Sequence, residues 1–308
     1  MFYLTLWTFF VYAFLGWCAE VSYAALHTGK FVNRGFLNGP VCPIYGFGVV
    51  VVVWILRPLK GNTLLLFLGS VVLTSLLEWI TGFVLEKIFH QRWWDYSEEP
   101  FNIGGYICLR FSIAWGLACL FVLKMIHPTI LWGIQAIPPT LGWVLLGIFS
   151  AAMAVDLAAT VRTIARMNKQ LKQLDELAGR IRKVSNELGE RLAVRVMDAA
   201  EAGDDLREDL EANLDQLRDA AEQQRQELLK GLDEVRDSLA QKRFQLQMDQ
   251  AEWLEERERD LDELRGRIEE ARSRYIFGQK RLLAAFPKMR SLNHKKALER
   301  LRRWLEQK

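Results

Sequence analysis

The strongest constraint on this chain is a series of apolar stretches in its first half, each about as long as a bilayer is thick. Hydrocarbon roughly 30 Å deep takes about 20 apolar residues in a helix, and residues 2–26, 40–56, 63–89, 103–126 and 141–161 offer five such stretches. Charge is concentrated elsewhere: of 40 Lys and Arg and 37 Asp and Glu, 32 and 30 come after residue 160. The division predicts an all-α protein with three parts. A polytopic helical membrane domain of about five spans would occupy residues 1–161, a long coiled-coil-like helix or helical hairpin residues 162–279, and a basic amphipathic segment residues 280–308.

Residues 1–10 carry no charge and the apolar run extends well beyond them, so the first stretch is expected to remain as a span rather than be cleaved. Residues 129–140 are too short to cross and predict an interfacial or re-entrant connection. Lys30, Arg34, Lys87, Arg92, Arg162, Arg166, Lys169 and Lys172 would lie on one side of the bilayer, against Arg57, Lys60 and Lys124 on the other. The positive-inside tendency then puts the tail in the cytoplasm and, with an odd number of spans, Met1 outside. The expected location is the cell membrane, crossed several times.

The tail alternates in sign. Residues 161–195 are net positive, residues 196–264 strongly negative, and residues 280–308 hold 10 basic against 2 acidic side chains. The first block suits a helix leaving an anionic leaflet. The last, with Leu298, Leu301, Trp304 and Leu305 among its charges, has four readings: lying on lipid headgroups, packing on the acidic middle of a neighbouring tail, ending in solvent or, least favoured, touching nucleic acid. Nucleic acid is not an expected partner.

No proline interrupts residues 168–275, and Leu174, Leu177, Ile181, Val184 and Leu188 keep helical spacing. A later seam through Leu239, Leu246 and Trp253, then Leu254, Leu261 and Ile268, slips by one residue against a seven-residue repeat. The period therefore drifts toward 3.6, which favours nearly straight helices packed side by side. A narrow apolar stripe must be buried on something, so homo-oligomerisation through the tail and membrane domain is expected. Gly203, followed by Asp204 and Asp205, is the expected break.

The membrane half holds the more specific signals. In RGFLNGPVCPIYGFG (residues 34–48), Arg34 precedes Asn38, which can cap a helix, and Pro40, which can occupy its first turn. In RWWDYS (residues 92–97), Arg92, Trp93, Trp94, Asp95 and Tyr96 read as an interfacial belt with an internal polar partnership, followed by Asn102 in FNIGG. Glu20, Glu78, Arg110 and Asp156 lie within the first, third, fourth and fifth stretches, where an ionisable group needs a partner or a function. Arg110 alone does not balance two glutamates. Either Arg34 reaches in, a glutamate carries a proton, or a cation or amine binds between them. These residues predict a cytoplasm-facing polar pocket; the alternative is a satisfied charge cluster that fixes helix packing.

Cys18, Cys42 and Cys108 fall at similar depth, but there is no CxxC and His27, His90 and His127 are scattered, so the thiols are expected to be small core residues with no metal. No cofactor is expected. The chain has no GxxxxGK[ST] phosphate loop, HExxH helix or GxSxG elbow, so it is not expected to be an enzyme, and ATP-driven work would need a separate ATPase subunit. A carboxylate pair such as Glu78 with Asp95 or Asp156 leaves an intramembrane enzyme acting on lipid as a further reading.

FLGWCAEV (residues 14–21), RGFLNGPVCPIYGFG, SLLEW (residues 75–79), RWWDYS and ICLRFSIAWG (residues 107–116) together resemble the putative ABC-transporter type IV permease family, over roughly residues 1–130. The start of the tail, VRTIARMNKQLKQLDELAGRIRKVSNELGE, is similar to the segment after the membrane part in such proteins. The resemblance implies a permease-like membrane subunit embedded in lipid, served by an ATPase and, with few spans, at least dimeric. It names no substrate. The length of the tail favours a second reading, a membrane-anchored oligomeric scaffold that recruits cytoplasmic partners.

Overall fold

The computed structural model describes residues 1–219, 222–274 and 276–307. Helix α1 (Phe2–Thr28) ends where Gly29 turns left-handed, at φ +66°, and its amide reaches back to the Ala25 carbonyl. Helix α2 (Pro43–Ile55) starts with Pro43 in its first turn, where the missing amide hydrogen is harmless. Asn62 caps α3 (Thr63–Phe89) by accepting from the Leu64 and Leu65 amides at 3.0 and 3.1 Å. Two-residue strands β1 (Gln91–Arg92), β2 (Asn102–Ile103) and β3 (Ile107–Cys108) come next. Helix α4 (Leu109–Phe121) continues through a π-turn at Val122–Ile126 into α5 (His127–Gln135). The long helices α6 (Pro139–Asp219) and α7 (Glu222–Ser273) precede α8 (Gln279–Ala285), β4 (Arg290–Ser291) and α9 (Lys295–Gln307).

Among the described residues the fold is all-α apart from two small antiparallel pairings, β1 with β4 and β2 with β3. Four helical segments among the described residues are long and apolar enough to cross a membrane: Phe2–Thr28, Thr63–Phe89, Leu109–Gln135 and Pro139–Asp198. The segment expected at residues 40–56 is reduced to the 13 residues of α2, about 20 Å at helical rise, because residues 40–42 belong to the preceding loop. The expected separate connection at residues 129–140 is mostly helix that prolongs α4. Pro128 sits in the first turn of α5, and the π-turn before it absorbs the hydrogen bond that a proline cannot make.

Small residues let the helices approach closely. A side chain at Gly16 on α1 would collide with the Tyr45 ring on α2, and one at Gly116 on α4 would meet Val71 on α3. Trp7, Phe9 and Phe10 of α1 form one buried cluster with Ile134 and Leu146, and Val52, Leu56, Leu66 and Leu123 form another. On α3, Leu64, Leu68, Val72 and Leu76 stay exposed at one-turn spacing, an apolar ridge that belongs in hydrocarbon.

The chain divides into two compact units, Met1–Lys172 with Tyr275–Lys308, and Gln173–Arg274. In the second, Arg191 of α6 lies over the Trp253 ring of α7 at 4.6 Å. Leu177, Ile181, Val184 and Leu188 on α6 and Trp253, Leu254, Leu261 and Ile268 on α7 are half-buried, while Leu239 and Leu246 of the same seam are exposed. The break expected at Gly203 is absent, since α6 runs through it. The join between α6 and α7 falls on residues 220–221, outside the described residues. The basic end packs with the membrane domain: Gln91 pairs with Ser291 and Arg92 with Arg290 across β1 and β4, and the Leu292 amide bonds the His90 carbonyl at 3.1 Å. None of the readings of that segment from composition named this position.

Candidate functional site

Three pieces of chain form a loop layer over the ends of α1, α3 and α4: residues 29–42, residues 90–108 and the segment after α7. The first piece is shaped by Asn33. Its amide oxygen accepts from Trp17 Nε1 at 2.8 Å and its Nδ2 donates to the Asn38 carbonyl at 2.7 Å. That fold buries Leu37 completely and turns two amides onto α6. Asp156 Oδ1 accepts from the Asn38 amide at 3.0 Å and from Asn38 Nδ2 at 2.8 Å, and Oδ2 accepts from the Gly39 amide at 2.7 Å. Asn38 thus caps no helix, and Cys42 is the residue before α2. Pro40 is exposed in the loop. A carboxylate from a distant helix outcompeted the local capping geometry because it satisfies two loop amides at once.

In the second piece, Arg92 lies over the Tyr106 ring at 4.8 Å, donates to Glu86 Oε2 at 2.8 Å and sits 3.6 Å from Asp95. Trp94 Nε1 donates to the Tyr106 carbonyl at 2.9 Å, and Asn102 Nδ2 donates to the Ser97 and Glu99 carbonyls. Trp93 is 3% exposed among the rings of Phe36, Phe89 and Phe286. Asp95 accepts from the Ser97 amide and hydroxyl and pairs with Arg290 at 2.7 Å. Burial pushes the Asp95 carboxyl up, but the Ser97 hydrogen bonds, Arg290 and Arg92 together outweigh it and hold the group below its ordinary range. The polar partnership within RWWDYS is therefore present, and it extends to the C-terminal segment.

That segment supplies Arg281, which no sequence signal marked. Its Nη1 donates to the Gly35 carbonyl at 2.7 Å, Nη2 to the Phe36 carbonyl at 3.1 Å and Nε to Asn38 Oδ1 at 3.1 Å. Burial pulls its pKa down, with the Asp156 charge acting against that. Gln279 Nε2 donates to Gln170 Oε1 at 2.6 Å, and Thr163 Oγ1 to the Phe277 carbonyl at 2.9 Å.

Beneath the layer lie the two glutamates. Glu20 on α1 accepts from the Tyr45 hydroxyl at 2.6 Å and faces Arg34 at 3.5 Å. Glu78 on α3 accepts from the Tyr96 hydroxyl at 3.2 Å through Oε1, whereas its buried Oε2 has no hydrogen-bond partner among the described residues. Burial first, then the charge and the hydrogen bond of Glu78, push the Tyr96 phenol above its ordinary range. Of the four ionisable residues predicted to cluster, none bonds or pairs with another among the described residues: Glu20 is held by Tyr45 and Arg34, and Glu78 by Tyr96. Asp156 is tied to the loop, and Arg110, its side chain 74% exposed, lies 4.0 Å from Glu99. Arg110 starts α4 at the rim, so its long side chain reaches outward to the loop. Tyr45 was missed, because only the packing of α2 on α1 at Gly16 brings its hydroxyl to Glu20. Cys42 and Cys108 are buried, and no group of metal-ligating side chains occurs among the described residues.

Residues 7–161, half of the chain, match the family model described as "Putative ABC-transporter type IV", and the chain belongs to that family. No solved structure matches the chain.

Proposed function

We propose, from membership of the ABC-transporter type IV family, that this protein is the permease-like membrane subunit of a transport system, with a polar pocket built on Glu20 and Glu78 and opening toward the cytoplasm. The observation that carries this reading is the bare Glu78 Oε2. A buried carboxylate oxygen with no donor is costly in a low-dielectric bundle, and a proton or a passing cation removes the cost. Tyr45 and Tyr96 would hold the two carboxylates in place, and Arg34 would offset the charge of Glu20. The protein performs no chemistry of its own in this reading; a separate ATPase subunit supplies the energy. The tail is cytoplasmic in this reading, because the loops holding Lys30, Arg34, Lys87 and Arg92 carry more basic residues than those holding Arg57, Lys60 and Lys124, in keeping with the positive-inside tendency.

The test is a mild-detergent pull-down scored for a nucleotide-hydrolysing partner, paired with Glu20→Gln and Glu78→Gln. Copurification of an ATPase, with loss of the cellular phenotype in the folded Glu78→Gln protein, supports the reading. Two folded variants that rescue a deletion fully, together with no ATPase in the pull-down, would end it.

A second reading, a membrane-anchored scaffold, is favoured by a separate observation. Unit Gln173–Arg274 leaves Leu192, Val196, Leu239, Phe244, Leu246 and Met248 exposed, more apolar surface than a solvated spacer needs.

A further inference from the structure

Between the RWWDYS loop and the C-terminal segment lies an open cavity of about 300 Å³. Four basic and four acidic side chains line it, so its wall is charged but balanced. Lys288 and Lys295, from the C-terminal segment, and Glu98, from the loop, have no side-chain hydrogen bond or ion pair among the described residues. Opposite charges that face one cavity without closing on each other leave room for a ligand that carries both signs. Arg302, also in the wall, donates to the Phe286 and Met289 carbonyls and keeps a buried Nε without a partner among the described residues.

The cavity stands at the edge of the apolar bundle. Glu99, in its wall, faces Arg110 in the first turn of α4, where the crossing segment Leu109–Gln135 begins. Phe101, two residues after Glu99, is 80% exposed, and Ile103 and Leu109, the latter bonding the Phe101 carbonyl through its amide at 3.3 Å, are 62% and 48% exposed, an uncovered apolar strip that begins two residues from the charged wall. Charged groups in a hollow with bare apolar surface at its lip match an amphiphile with a dipolar head.

We propose that this cavity binds the headgroup of a phospholipid bearing a primary ammonium, with the phosphate between Lys288 and Lys295, the ammonium on Glu98 and Glu99, and the acyl chains along Phe101, Ile103 and Leu109. A purely anionic headgroup would meet the two glutamates, and a quaternary ammonium has no N–H to donate to them. The inference needs only that the bundle is embedded in lipid, and stands apart from the transport reading.

Native mass spectrometry of the full-length protein, given equal amounts of phosphatidylethanolamine, phosphatidylglycerol and phosphatidylcholine in mild detergent, tests it. Phosphatidylethanolamine should be retained about tenfold over the other two. The double variant Lys288→Gln and Lys295→Gln changes two exposed side chains with no partner to lose among the described residues. It should erase most of that preference, while Glu98→Gln should move it toward phosphatidylglycerol. Equal retention of the three lipids, a wild-type preference for phosphatidylglycerol, or a preference that both variants leave intact would overturn the proposal. Soluble phosphoethanolamine that displaces the lipid completely at equal concentration would also overturn it, by making the free headgroup the ligand.

Discussion

The Arg281 guanidinium donates to the Gly35 carbonyl at 2.7 Å, joining residues 246 positions apart. With the Phe36 carbonyl and Asn38 Oδ1 it fills a three-acceptor cradle, so the segment after α7 is read by the loop after α1. A hydrogen bond from a charged donor is worth about 1.5–3 kcal/mol before the burial cost is set against it. Arg281→Ala is therefore expected to lower stability by about 2–3 kcal/mol and to expose residues 276–307 to protease. Arg281→Lys should restore little, because a single ammonium cannot reproduce three bonds made from three nitrogens of one guanidinium. Limited proteolysis of the full chain in detergent, read at the C-terminus, checks both.

Asp95 makes the second tether, to Arg290. Arg290 is half exposed, so this pair is screened and Arg290→Ala should cost only about 0–1 kcal/mol, less than the loss of Arg281. The folded Asp95 carboxyl titrates below its ordinary value of 3.8. A depressed folded value gives stability that is fully present above the unfolded value and lost as pH falls through the folded one. Protease protection of the C-terminal segment should then be flat from about pH 5 to 8 and fall only below about pH 4. In Asp95→Asn, protection at neutral pH should be weaker and the acid step reduced.

Trp93 should be a stability centre rather than a headgroup anchor. It is 3% exposed and touches three aromatic rings from three parts of the chain. Trp93→Ala is expected to cost about 3–5 kcal/mol, whereas Trp132→Ala, at a ring 75% exposed, should change the melting temperature little. Thermal unfolding in detergent separates the two.

Gly105 has φ +73°, and a side chain there would meet Asp95 Oδ1 at 2.7 Å and Ser97 Oγ at 2.6 Å. Gly105→Ala combines backbone strain with a clash against the ionic centre of the loop and should cost about 1–3 kcal/mol or more. Gly179→Ala, in open space on α6, should instead stabilise by about 0.4–1 kcal/mol. Opposite shifts in melting temperature are the expected outcome.

The exposed apolar residues of α7 predict self-association. Replacing Phe244, Leu246 and Met248 together with glutamine should lower the protein mass measured by light scattering in detergent. The wild-type chain should show a concentration-dependent mass above the monomer.

Sequence alone determined which parts of this chain are apolar helix and which are charged helix, because hydrophobic length and periodicity act locally and need no partner. It also picked out the RWWDYS partnership and the glutamates at positions 20 and 78, since an ionised group in an apolar stretch is anomalous wherever the rest of the chain lies. Only the tertiary structure decided who satisfies them. Glu20 faces Tyr45 and Arg34, Glu78 faces Tyr96, Arg110 turns out to Glu99, and Asn38 abandons a cap for Asp156. The return of the basic C-terminal segment onto the membrane domain was equally invisible, since Arg281 resembles any other surface arginine until the carbonyls of Gly35 and Phe36 are brought to it. Partner choice for a buried charge depends on which donors and acceptors the packed helices place within about 3 Å, and residue spacing along the chain does not encode that.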